Sequence, residues 1–208
     1  MCAGGQVIPV IEFSKGVFIV TWLILILVLA LVIGPVMYLV PSKKDKRISG
    51  LRELARIKGI SVKISSLLKV NPESHERVSS SGHTQYPKVN CVLYGKSPKV
   101  PLLSIYGLDL LRVNQGSTIP LTEIVSGWAI EEPVPDSELS PLVPSVLQQL
   151  AKVEKFLPQD CLGLHLSKPL VGIYWLEKST AQEEHLENIE QAIATLCECL
   201  EGEFPMKE

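Results

Sequence analysis

The residue types that could do chemistry are few, and their spacing rules out most of it. Cys197-x-Cys199 suggests a redox or metal pair. On a helix, residues two apart diverge by about 200°, so these thiols cannot chelate together or bridge. Cys197 falls on an apolar stripe and reads as a small core residue. His75 and His83 lie in a polar stretch with Cys91 downstream, without the CxxC or HxxxH spacing of a metal site. His165 alternates with leucines and is expected to face away from them. His185 sits beside Glu184 in an acidic helical turn. Asp109 and Asp160 are isolated carboxylates near strand ends. Glu131 and Glu132 are adjacent on a strand and point to opposite faces, a poor acid/base pair. No GxGxxG, GxxxxGK(S/T) or GxSxG pattern occurs. The expectation is a non-enzymatic protein without cofactor or metal.

The elements that position these residues begin with an apolar run, Val17–Val40, that carries no charged side chain. At ~1.5 Å per residue it makes a helix of about 36 Å, which predicts a transmembrane helix. Trp22 and Tyr38 lie near its two ends, at expected headgroup depth, and Gly34-Pro35 is a kink or a close-packing point. The preceding residues, with Glu12 and Lys15, do not make the basic start of a signal peptide, and bulky Tyr38-Leu39-Val40 is no cleavage site. Lys43, Lys44, Lys46 and Arg47 follow directly. From Lys43 to Lys58 there are seven basic residues against two acidic ones. The positive-inside rule then predicts an external N-terminus and a cytoplasmic C-terminal domain, with the basic cluster drawn to the lipid bilayer. The expected division is a tail 1–16, a membrane helix 17–40, a basic helix 41–58, and a domain 59–208 with a flexible loop 71–86.

The rest of the chain is enough for one compact domain. A net charge of −2 argues against a nucleic-acid partner. Five scattered cysteines suit reduced thiols rather than a disulfide framework. Ser42 or Ser49 can open a first helix that ends at Gly59. Ile60, Val62 and Ile64 then alternate with polar residues as a half-buried strand. Val89–Tyr94, Leu102–Tyr106 and Ile124–Ile130 are strand candidates, and Asp109–Leu121 is ambiguous. Val143, Val146, Leu150, Val153 and Leu157 form a helical stripe. Ser167-Lys168-Pro169 is too short for a parallel crossover, so the strands on either side form a hairpin. Thr180-x-x-Glu183 has the form of a capping box before a last helix. From Glu177 onward nine acidic residues face two basic ones. Glu183, Glu184, Glu187 and Glu190 are the expected partner surface, for a basic partner or for the chain's own basic helix. The fold class expected is α+β: one N-terminal transmembrane helix, then one domain of mostly antiparallel sheet with about three helices.

Gly34-Pro35, Pro41-Ser42-Lys43-Lys44, Leu51-Arg52-Glu53-Leu54-Ala55, Phe156-Leu157-Pro158 and Gly172-Ile173-Tyr174-Trp175 together resemble a family of single-pass inner-membrane proteins of gammaproteobacteria. Some of its members are labelled as relatives of the small accessory subunit of the Sec preprotein translocase, YajC. The resemblance implies an inner-membrane accessory role and assigns no residue a function. The leading expectation is a membrane-anchored scaffold or accessory subunit that binds another membrane or cytoplasmic protein. The alternatives are a translocase accessory subunit, and a ligand sensor or enzyme with a pocket near Trp128 and Trp175.

Overall fold

The computed structural model describes residues 10–39, 42–99, 107–113, 116–131, 150–167, 169–178 and 180–203. The chain divides into two compact units, Met1–Lys46 and Arg47–Glu208. The first carries helix α1, Val10–Leu39, whose helical backbone runs unbroken through Gly34-Pro35. Its large apolar side chains are exposed, Trp22 among them. Within the described residues of this chain an added Cβ at Gly34 would meet nothing within 4 Å. The side chains of Pro35 and Tyr38 lie outside the described residues. Among the described residues no helix is long and apolar enough to cross a membrane. The expected single-pass transmembrane anchor is corrected accordingly, and with it the inner-membrane location and the outside-to-inside orientation.

Helix α2, Lys43–Ile57, opens where Ser42 was expected to cap it. The Asp45 amide donates to Ser42 Oγ at 3.2 Å, and the Ser42 amide and hydroxyl both donate to Asp45 Oδ2, a reciprocal cap. Lys43, Lys44, Lys46 and Arg47 are all exposed along its first turns. The helix ends in a Schellman motif. Gly59 adopts φ +75°, its amide donates to Arg56, and the Ile60 amide reaches back to Ala55 at 2.9 Å. Ile60 is then buried beneath the turn.

Among the described residues seven strands follow: β1 Ser61–Leu68, β2 Lys88–Lys96, β3 Leu108–Arg112, β4 Thr122–Val125, β5 Trp128–Ile130, β6 Cys161–Leu166 and β7 Val171–Trp175. They form one sheet in the order β1-β2-β7-β6-β3-β5-β4, and every pairing is antiparallel. The ambiguous stretch after Asp109 supplies β3, an interior strand. The candidate Ile124–Ile130 is two strands, because Gly127 at φ +86° turns the chain between them. Leu102–Tyr106 lies outside the described residues, as do Val143 and Val146. The stretch expected to be a flexible loop, 71–86, holds a 3-10 turn, Ser74–Arg77, and a small hairpin closed by the Val78–Thr84 bridge.

One sheet face carries the main core. Tyr94, Trp175, Ile173, Leu164, Leu110 and Trp128 pack there against Leu51 and Ala55 of α2, Leu150 and Val153, and the stripe Leu186, Ile189, Ile193 and Leu196 of α3, Glu183–Glu203. Helix α3 starts at Glu183, three residues beyond Thr180, where the His185 ring accepts the Gln182 amide at 3.3 Å. The expected Thr180 box is thus replaced by a histidine contact. The opposite face holds a smaller cluster of Leu67, Cys91, Leu93, Leu111, Ile119 and Tyr174. One expectation fails on β1: Ile64 is 74% exposed, because β1 is an edge strand.

Two outcomes test this architecture. A Cβ at Gly163 would stand 2.3 Å from the Leu110 carbonyl oxygen, a backbone atom on the neighbouring strand. Gly163→Ala should cost about 2–3 kcal/mol in urea unfolding. The Ser42 contacts hold the Asp45 carboxyl below its ordinary value. That contribution is complete above the unfolded carboxyl's pKa and is lost as pH falls through the lower folded value. Helicity of α2 should therefore fray in acid, and Asp45→Asn should flatten that dependence in far-UV dichroism.

Candidate functional site

Three polar constellations lie in the second unit. The most buried is centred on Glu177, 4% exposed and set at φ +49° two residues beyond β7. Arg52 of α2 grips its carboxylate with a fork, Nε to Oε1 at 2.9 Å and a terminal nitrogen to Oε2 at 2.5 Å. The Tyr94 hydroxyl donates to Oε1 at 2.5 Å. Burial, then Glu177, push the Tyr94 phenol well above its ordinary pKa, and Glu177 raises Arg52 further. Tyr94 and Arg52 thus keep the protons that these bonds donate. A second ion pair, Lys58 to Glu190 at 2.9 Å, joins the end of α2 to α3. The acidic last helix does contact the chain's own basic helix, through Glu190.

Beside these pairs α2 and the start of α3 leave a groove. Leu51, Leu54 and Ile57 form its apolar floor, and Arg47, Glu53, Gln182 and Glu183 its charged and polar rim. Its volume is about 580 Å³. Ile57 is 76% exposed in it. Glu183, Glu184 and Glu187 are exposed, with no salt bridge to them among the described residues.

The third constellation lies on the other sheet face. Asp109 and His165 are directly opposed on β3 and β6, with Nδ1 to Oδ1 at 2.6 Å. The Tyr174 hydroxyl donates to the same Asp109 oxygen at 2.9 Å. Burial and the Asp109 charge raise the Tyr174 phenol above its ordinary range, and burial lifts the Cys91 thiol to about 11. His165 does face away from its flanking leucines, and Asp109, which looked isolated, is its partner. Neighbouring strands supply Gly172 and then Gly95 in the same row, spaces taken by Leu93 and Leu170. The arrangement orients an imidazole; among the described residues no three metal-binding side chains converge.

The remaining residues are structural. Asp160 accepts Trp175 Nε1 at 2.7 Å and the Lys178 amide at 3.1 Å. His185 stacks on Trp175 with ring centroids 6.2 Å apart. Trp128 and Trp175 are 1% and 0% exposed, so neither indole offers a face to a ligand. Cys91 and Cys161 are buried free thiols, with Cys161 raised by burial to about 12, and Cys197 is buried in the main core. Cys199 lies beyond the described side chains. Sequence reasoning missed Glu177 altogether. The one available signal is its place directly after a continuous apolar strand that ends in Trp175-Leu176.

No family model and no curated protein matches the chain. A solved structure, the mycobacterial trehalose monomycolate transport factor A, TtfA, is similar at a TM-score of 0.43 and 9% identity, over 81% of this chain and 99% of that one. A similarity that slight carries neither fold nor function across.

The Glu177 constellation predicts an asymmetric double-mutant cycle. Arg52→Ala strands a buried carboxylate and should cost about 2–3 kcal/mol, reduced from the fully buried case because Arg52 is 30% exposed. Adding Glu177→Gln should restore most of that loss in chemical denaturation.

Proposed function

We propose that the domain from Arg47 onward is an accessory protein-binding module. Its groove between α2 and α3 takes an amphipathic helix with an apolar ridge and a basic flank. The observation that carries this reading is Ile57: a large apolar side chain 76% exposed on an open, charge-rimmed groove. Such a surface suits recognition of an amphipathic helix. The basic flank answers Glu183, Glu184 and Glu187, whose charges stand clear on the α3 side. Arg52–Glu177 and Lys58–Glu190 hold the groove walls rigid, so little ordering cost falls on binding.

A photo-reactive residue placed at Ile57 of the full chain, in the cells that make it, should yield one discrete protein adduct. The same residue at Lys88, exposed at the start of β2, should not. Glu183→Lys should reduce the Ile57 adduct at least fivefold. Equal labelling at the two positions, or an adduct indifferent to the charge reversal, would overturn the reading.

A further inference from the structure

The two edges of the sheet are built differently. β4 is short, and its register with β5 shifts between Glu123 and Val125, an irregularity that blunts an edge against pairing. β1 has none of these protections. It runs for eight residues without proline, and its register with β2 is unbroken from Ser61 to Leu68. Among the described residues no strand pairs with its other side. Ser61, Lys63, Ile64 and Ser66 are exposed, so no described element covers that side.

We infer that β1 pairs with β1 of a second copy of this chain, antiparallel and centred on Ile64, joining two sheets into one. A two-fold axis normal to the sheet keeps like faces together, so opposed residues must have the same parity. Centring on Ile64 sets Ile64 against its own counterpart, Lys63 against Ser65, Val62 against Ser66 and Ser61 against Leu67. Two exposed isoleucines then cover each other. Centring on Lys63 would oppose two ammonium groups, which is unfavourable. Centring on Ser65 would put Ile64 against Ser66 and Lys63 against Leu67, losing the apolar pair. The only charged side chain of β1 therefore rejects one register and tolerates another. This pattern fits a self-pairing edge with isologous symmetry.

The test uses the full chain in mild non-ionic detergent, because α1 exposes apolar surface. Light scattering should give twice the chain mass. Under mild oxidation Ile64→Cys should cross-link to its own copy at least tenfold faster than Ser66→Cys, whose counterpart lies across from Val62; opposed Cα atoms in a ladder are within disulfide reach. Wild-type protein supplies the background from the native thiols. Ile64→Lys should give a monomer, whereas Ile57→Glu, which disables the groove, should remain dimeric. A monomeric wild type, a dimer that survives Ile64→Lys, or equal cross-linking at 64 and 66 would overturn the inference and leave the groove reading standing.

Discussion

The domain depends on one buried carboxylate. Glu177 lies two residues beyond β7, on the approach to α3, and is neutralised by a residue 125 positions earlier on α2. An ionised side chain 4% exposed is tolerable only when its lone pairs are filled, and here Arg52 and Tyr94 fill them. The left-handed backbone at Glu177 is an uncommon conformation for a residue with a Cβ, maintained because the same fork holds the side chain. Hydrophobic burial alone would let α2 slide on the sheet. The bidentate fork sets its position, because a guanidinium meets a carboxylate in few geometries.

That anchored position creates the binding surface. Leu51 and Ala55 are buried against the sheet, which turns Leu54 and Ile57 toward the start of α3. The second pair, Lys58–Glu190, consumes one of the four glutamates and leaves the N-terminal three clear. The opposite sheet face follows another logic. It has no helix layer among the described residues, and its apolar cluster is small. A hydrogen-bonded Asp109–His165–Tyr174 row is therefore tolerated there, where water can reach two of the three groups.

Much of the local structure was legible from residue order. The Gly59 cap, the hairpin about Ser167-Lys168-Pro169, the orientation of His165 and the core placement of Cys197 all arise from short-range chemistry: glycine's freedom at positive φ, loop length, and the two-residue and 3.6-residue periods. Thr180-x-x-Glu183 was legible and misleading, since His185 supplies the contact instead. The apolar run of α1 was read as a complete membrane crossing, and among the described residues no helix is long and apolar enough to make one.

The sequence alone determined the Ser42 start and Gly59 stop of α2 and the hairpin loop at Ser167-Lys168-Pro169, because those signals act within a few residues. Only the tertiary structure decided which carboxylate meets which cation. Arg52 and Glu177, or Asp109 and His165, are far apart in the chain, and no period or spacing links them. It also decided that Ile64 would be exposed: alternation states that a strand has two faces, but strand order places β1 at an edge, where the apolar face runs out of cover.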